Sequence, residues 1–126
     1  MIGPMDDITL LQAEVLRTMA HPRRIQILHE LAHGPIEVGR LATRIGASQP
    51  NVSQHLAAMR AVGLLESERD GREVRYRLAD RRSMEACELM RTVIADRLRR
   101  LADMAGDDGP RVAGPAGAPA IETAAR

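Results

Sequence analysis

The first third of the chain carries apolar residues at helical spacing, interrupted by proline and glycine. Ile8, Leu11, Val15 and Met19 recur every three or four positions behind two aspartates, which predicts an amphipathic first helix. A second helix is predicted over HPRRIQILHELAHG, because proline suits a first helical turn and glycine a helix end. Its apolar side chains predict that this helix is mostly buried: Ile25, Ile27, Leu28 and Leu31.

Two further helices are predicted on either side of the glycine-containing turn IGAS. Pro35 is expected to open the third helix, with Arg40 and Arg44 on its outer side. Ser48 is a suitable N-cap for the fourth helix, and Pro50 falls in its first turn, where a missing N–H costs little. The fourth helix is therefore expected to begin immediately after the turn and to end near Gly63.

A strand pattern replaces the helical pattern after Gly63. Val74, Tyr76 and Leu78 alternate with charged residues, and Asp70-Gly71 is a typical two-residue hairpin turn. Helical spacing then returns in a last helix along an apolar seam: Cys87, Met90, Ile94, Leu98, Leu101 and Ala105.

This order of elements predicts an α+β fold, mainly α with a small β-hairpin. Two short helices joined by a tight turn and followed by a hairpin form a winged helix-turn-helix, here in the order ααααββα. We expect one DNA-binding and dimerisation domain over 6–105, after a flexible segment 1–5. The Gly-, Pro- and Ala-rich residues 106–126 are expected to be a disordered tail.

The overall charge of +1 conceals a basic middle third. Residues 40–82 hold nine arginines against five acids, and the chain contains no lysine. A local basic surface is typical of nucleic-acid binding. One tyrosine and no Phe or Trp argue against an RNA module that stacks bases on aromatic rings.

Composition and motifs also argue against several other classes of protein. The single cysteine excludes an internal disulfide framework, and no apolar run reaches the length of a membrane span. No secretory leader is evident, so a cytoplasmic location is expected. No nucleophile–base pair, phosphate loop or carboxylate pair stands out. Neither an enzyme nor a bound cofactor is therefore predicted.

The fourth helix has the two faces that a recognition helix needs. At 100° per residue, its large apolar side chains share one face, and small and polar side chains occupy the opposite one. Asn51, Ser53 and Gln54 are predicted to contact bases, because amide and hydroxyl groups match base edges in the major groove. Contacts with phosphates are predicted for residues beside them, on the third helix and on the hairpin: Arg40, Arg44, Ser48, Gln49, His55, Arg69, Arg72 and Arg75.

Because one such domain reads few bases, a homodimer on a double-stranded operator is expected. Its interface is predicted from the apolar positions of the first and last helices: Ile8, Leu11, Val15, Cys87, Met90, Ile94, Leu98 and Leu101. The function predicted is a sequence-specific transcriptional repressor. The alternative is an architectural or nucleoid DNA-binding protein with little sequence preference, and the ratio of affinities for specific and random duplex separates the two.

From about residue 8 to residue 105 the chain resembles the ArsR/SmtB family of bacterial repressors. The resemblance lies in LRTMAHPRRIQILHEL and in the series SQPNVSQHL, GLL, RDGR and Tyr76. It implies a homodimeric winged-helix protein with its first and last helices at the dimer interface. It also implies a repressor that leaves its operator when an inducer binds.

The chain departs from this family where the familiar metal sites lie. Metal-sensing members often carry Cys-Val-Cys on the third helix, where this chain has Glu37 and Gly39, and its last helix lacks the histidine of a second common site. No metal site is therefore predicted, and the inducer stays open as an unidentified small molecule or redox signal. His29 and His33, spaced i and i+4, could hold a metal, and Cys87 could sense redox state. The alternative for each is an ordinary structural residue.

Overall fold

The computed structural model describes residues 5–106, so most of the predicted flexible segment 1–5 and of the predicted tail 106–126 lies outside the described residues. The chain divides into two compact units, one ending at Asp80 and one beginning at Arg81. The single domain expected over 6–105 stays a prediction. The elements in chain order are α1 (Asp7–Met19), α2 (Pro22–Leu31), β1 (Ile36–Glu37), α3 (Val38–Ile45), α4 (Gln49–Ala61), β2 (Leu65–Asp70), β3 (Glu73–Leu78) and α5 (Arg81–Ala105).

The helices of the first unit begin at polar caps that the sequence supplies locally. Asp6 accepts a hydrogen bond from the Thr9 amide at the start of α1, and Nδ1 of His21 accepts one from the Arg23 amide at the start of α2. These contacts satisfy amide groups that have no partner within the helix. The predicted first two helices are confirmed.

The apolar core of the first unit is built from aliphatic side chains. Ile27, Leu41, Val52, Leu56 and Met59 are fully buried. The expected burial of α2 holds for three of its four apolar positions, but Ile25 is 38% exposed because it lies on the outer side of the helix. The α+β winged helix-turn-helix class is confirmed.

The predicted order ααααββα lacks one element, the short strand β1. Pro35 does not open α3; instead Ile36 and Glu37 pair with Tyr76 and Arg75 of β3, and the helix begins at Val38. The sheet is antiparallel with the order β1-β3-β2. A two-residue strand exists only through its partner, so it leaves no periodic pattern in the sequence.

The hairpin turn lies one residue further along than predicted. Asp70 pairs with Glu73, so Gly71 and Arg72 form the two-residue loop rather than Asp70 and Gly71. Gly71 has a φ of +64°, and no residue other than glycine has a positive φ within the described chain. The glycine thus occupies the loop position that requires this conformation, and Arg72 is placed at the tip.

Candidate nucleic-acid interface

The start of α4 is fixed by the turn that precedes it. Gly46 ends α3 in the left-handed conformation, with a φ of +69°. Ser48 follows as the N-cap, and its Oγ accepts a hydrogen bond from the Asn51 amide at 3.3 Å. Pro50 lies in the first helical turn. The predicted turn, cap and helix start are confirmed, and the role of Ser48 at a phosphate stays a prediction.

The two faces of α4 differ as its periodicity predicts. Val52, Leu56 and Met59 are completely buried. Asn51, Ser53 and Gln54, the three predicted base contacts, are exposed, and none of their side chains forms a hydrogen bond within the described residues. Their donors and acceptors are therefore available to an external ligand without breaking any contact of the folded unit. Exposed Ala57 and Ala61 follow along the helix and leave room for close approach.

Gln49 lies beside the start of α3. A Cβ placed on Gly39 would lie 3.3 Å from Oε1 of Gln49 and 3.2 Å from both carboxylate oxygens of Glu37. Glycine at position 39 thus allows these side chains to approach the helix backbone. The Gln49 side chain is exposed at the edge of α4, and its predicted phosphate contact stays a prediction.

His55 differs from the other predicted DNA contacts because it is half-buried and bonded within the first unit. Its Nδ1 accepts a hydrogen bond from Nε of Arg24 at 3.1 Å, and its ring lies 4.6 Å from the ring of His21. Burial lowers the pKa of His55, and the nearby charges of His21, Arg24 and Arg23 lower it further. Both the lowered pKa and the bond from Arg24 thus favour the neutral ring, with Nδ1 as an acceptor.

The arginines of the wing, the hairpin formed by β2 and β3, fall into two groups. Arg69 and Arg72 are exposed and form no ion pair within the described chain. Arg75 lies 3.5 Å from the Glu73 carboxylate and 3.9 Å from that of Asp70. Arg69 and Arg72 therefore present their full charge to solvent, whereas the charge of Arg75 is partly balanced.

The same distinction holds for the two predicted arginines of α3. Arg44 forms an ion pair of 2.9 Å with Glu30 of α2, whereas the Arg40 side chain has no ionic partner within residues 5–106. Arg40, Arg44 and Arg75 line one open cavity of about 440 Å³ between the start of β1, α3 and β3. The fold thus brings three of the predicted phosphate contacts together.

Arg23 and Arg24 of α2 connect neighbouring helices of this surface, although the sequence predicted no role for either residue. One guanidinium nitrogen of Arg23 donates to the Ile45 carbonyl at the end of α3 at 3.0 Å. Arg24 donates to the Thr18 carbonyl of α1 at 2.9 Å, in addition to its bond to His55. Their position beside Pro22 shows that they lie at a helix start, but nothing in the sequence identifies their distant partners.

Apolar side chains remain uncovered on α1 and on α5. No residue of α1 is buried, and Ile8 and Leu11 are 77% and 59% exposed. On α5 the predicted Met90, Ile94 and Leu101 are exposed, whereas Cys87 and Leu98 are half-buried, as is Val15 of α1. The exposed apolar set also includes residues that the predicted seam omitted: Leu10, Leu16, Leu89, Val93 and Met104. On α5, Leu89, Val93 and Met104 each directly precede a residue of the predicted seam, so they share its helical spacing.

The residues considered for sensing are not assembled into a metal site within the described chain. No group of three or more His, Cys, Asp or Glu side chains there could hold an ion. Burial raises the pKa of the Cys87 thiol, and Glu88 raises it further, so the reactive thiolate is disfavoured. No described helix is both long and apolar enough to cross a membrane.

Comparisons with known proteins identify the family of the chain. Residues 21–67 match the family model described as bacterial regulatory protein, arsR family. The HTH-type transcriptional regulator CmtR of Mycobacterium bovis is 40% identical over 84 residues, which are 66% of this chain and 71% of that protein. The biofilm growth-associated repressor of Agrobacterium fabrum is 33% identical over 62% of this chain and 67% of its own length.

A structural neighbour has the same fold. It is the homodimeric winged helix-turn-helix DNA-binding domain of a possible ArsR-family transcriptional regulator from Mycobacterium bovis. The TM-score is 0.65 at 33% identity, over 76% of this chain and 91% of that one. The chain therefore belongs to the ArsR family of bacterial regulatory proteins and is a DNA-binding transcriptional regulator rather than an enzyme.

Proposed function

We propose that the chain is a homodimeric repressor that occupies an operator through α4 and the wing and leaves it when an inducer binds. The observation that carries this proposal is the exposed side of α4, where the side chains of Asn51, Ser53 and Gln54 form no hydrogen bond within residues 5–106. Unused amide and hydroxyl groups beside a buried apolar face suit base edges in a major groove. Arg40, Arg69 and Arg72, which have no ion-pair partner in the described part of the chain, add positive charge for phosphates.

The proposed dimer is supported by the apolar side chains of α1 and of α5. Ile8 and Leu11 on one helix, and Met90, Ile94 and Leu101 on the other, leave apolar area in water that association would remove. A dimer also holds two recognition helices about one turn of DNA apart. The homodimeric neighbour from Mycobacterium bovis supports the same assembly.

We further propose that release does not use a metal bound at α3. Both carboxylate oxygens of Glu37 accept backbone hydrogen bonds, from the amides of Gly39 and Arg40, each at 2.9 Å. These bonds lower the pKa of Glu37 and use its side chain as the N-cap of the helix. Gly39 brings no ligand. An unidentified small molecule or redox signal is left as the inducer.

Operator mapping tests the proposal. Genomic fragments that the purified chain binds are selected and sequenced, and affinities for the recovered site and for a scrambled duplex of equal composition are compared. A repressor should prefer its operator by about 10³ or more. A ratio near one would support the architectural alternative instead. A screen of metals, metabolites and oxidants for loss of operator binding then identifies the inducer.

A further inference from the structure

The side chains of His21, Arg24 and His55 meet where α1, α2 and α4 come together. His21 and His55 lie with their ring centres 4.6 Å apart, and Nδ1 of each ring accepts a hydrogen bond. His21 accepts from the backbone amide of Arg23, and His55 accepts from the guanidinium of Arg24. A protonated imidazole carries hydrogen on both nitrogens, so the bond from Arg24 to Nδ1 of His55 requires a neutral His55 ring.

We propose that Arg24 is a positioning residue for α4: it joins the Thr18 carbonyl at the end of α1 to Nδ1 of His55, and it holds α4 only while His55 is neutral. Both bonds of Arg24 are partly buried, at 2.9 Å to Thr18 and 3.1 Å to His55, and the second joins α2 to a helix 31 positions further along the chain. His55 directly follows Gln54, so a displacement at this point moves the surface proposed to contact bases. The inference rests on the proposed DNA contacts of α4.

Protonation of His55 would add a positive charge to a group that is already positive. The charged and titratable side chains that face it are His21, Arg23 and Arg24, all from α2 and the residue that caps it, and α1 contributes the Thr18 carbonyl through Arg24. The charged side chains that shift its pKa are all basic. Acid therefore breaks the bond to Arg24 and places like charges side by side.

The direction of the resulting pH effect distinguishes this mechanism from simple charge attraction. An added positive charge near DNA would by itself strengthen binding to phosphates. The loss of a positioning bond should weaken binding instead. We expect the operator affinity to fall between pH 8 and an acid pH below the lowered pKa of His55, at constant ionic strength, by about fivefold for each protomer, the effect of losing one typical hydrogen bond.

Two substitutions at one position provide the matched test. In His55→Asn, the amide oxygen can take the place of Nδ1 and accept from Arg24 without titrating, so affinity at pH 8 should persist and the acid loss should vanish. In His55→Gln, the amide reaches the position of Nε2 instead, so affinity should be low at both pH values. Arg24→Lys should resemble His55→Gln, because one ammonium group cannot reproduce the fork of a guanidinium.

Two control variants should keep the acid loss. His33→Asn removes an exposed histidine away from this contact. His21→Asn removes the neighbouring histidine but retains a good N-cap for α2. If His21→Asn abolished the acid loss, His21 rather than His55 would be the responsible group, and the proposal would be wrong.

Hydrogen exchange of the α4 amides in the DNA-free protein tests the same bond without an operator. After correction for the intrinsic effect of pH, protection should fall on acidification in the unmodified chain and not in His55→Asn. If these amides behave as expected but no operator preference exists at pH 8, the proposed function fails and the positioning role stands. Two results would overturn the positioning role. One is an operator affinity of the unmodified chain that stays constant or rises in acid. The other is a His55→Gln variant that binds the operator as well as His55→Asn does.

Discussion

Replacing Gln54 with alanine separates base recognition from general attraction to DNA. The Gln54 side chain is exposed and forms no hydrogen bond within the described residues, so its removal should change the free energy of unfolding by less than about 0.5 kcal/mol. Alanine also favours the helix. Any larger effect on binding must therefore arise in the complex.

The size of the effect follows from the base contact that each Gln54 side chain is proposed to make. One base contact is worth about 1–3 kcal/mol, which corresponds to about 5- to 150-fold in affinity. A homodimer carries the substitution twice, so the operator should bind more weakly by about 2–6 kcal/mol if both half-sites are contacted. Binding to a scrambled duplex should hardly change, since phosphates dominate it.

Arg72→Ala is the matched comparison, because Arg72 lies at the tip of the wing without an ion pair in the described chain. Removal of one phosphate contact should lower the slope of log affinity against log salt by about 0.9 per protomer. Affinity for both duplexes should fall by similar factors, which leaves sequence preference unchanged.

Fluorescence anisotropy on operator and scrambled duplex at four salt concentrations measures both quantities. Equal weakening of the two duplexes by Gln54→Ala would refute base contact by this residue. A selective loss of operator binding in Arg72→Ala would show that the wing contributes to specificity.

Three further predictions concern the dimer, the inducer and acid stability. Ile94→Asp should yield monomers by sedimentation and lose operator binding, because association would bury an unpaired carboxylate. The control Thr92→Asp, on the opposite side of α5, should remain dimeric. An intact Ile94→Asp dimer would refute the proposed interface. Micromolar Zn(II), Cd(II) or As(III) should leave operator affinity unchanged, since the Glu37 side chain is used in helix capping. A metal-dependent loss of affinity of about tenfold, which is typical of allosteric coupling, would contradict this expectation. The folded-state pKa of His55 is lowered, so the unfolded chain binds that proton more readily, and the free energy of unfolding should fall as pH drops below about 6.5 and through the lowered pKa. Denaturant titrations of the unmodified chain and of His55→Asn check this, and equal slopes against pH would contradict it.

The sequence by itself determined the features of α4 that depend on neighbouring residues. Ser48 and Pro50 mark its start because capping and proline geometry act within one turn. The spacing of Val52, Leu56 and Met59 selects the buried face, and that choice exposes the polar side chains opposite. The start of α4 and the exposure of its three predicted base contacts were therefore predictable, and their contact with DNA stays a prediction.

Two local features were decided by pairing between strands. Ile36 and Glu37 form β1 only because β3 lies beside them, and this pairing delays the start of α3 to Val38. The register of β2 with β3 places Gly71 and Arg72 in the hairpin loop, although Asp70-Gly71 is the stronger turn signal in the sequence. Strand pairing is a contact between distant segments, so short-range patterns do not contain it.

Only the tertiary structure decided which charged and titratable side chains remain free. Arg40 and Arg44 look equivalent along α3, yet Glu30 of α2 pairs with Arg44 alone. His55 looks like another polar residue of the recognition helix, but Arg24, 31 positions earlier, takes its Nδ1. Helical periodicity places a side chain on a face through the geometry of its own turn. The partner that the side chain meets on that face depends on how distant helices pack, and that packing decides its charge and its availability to DNA.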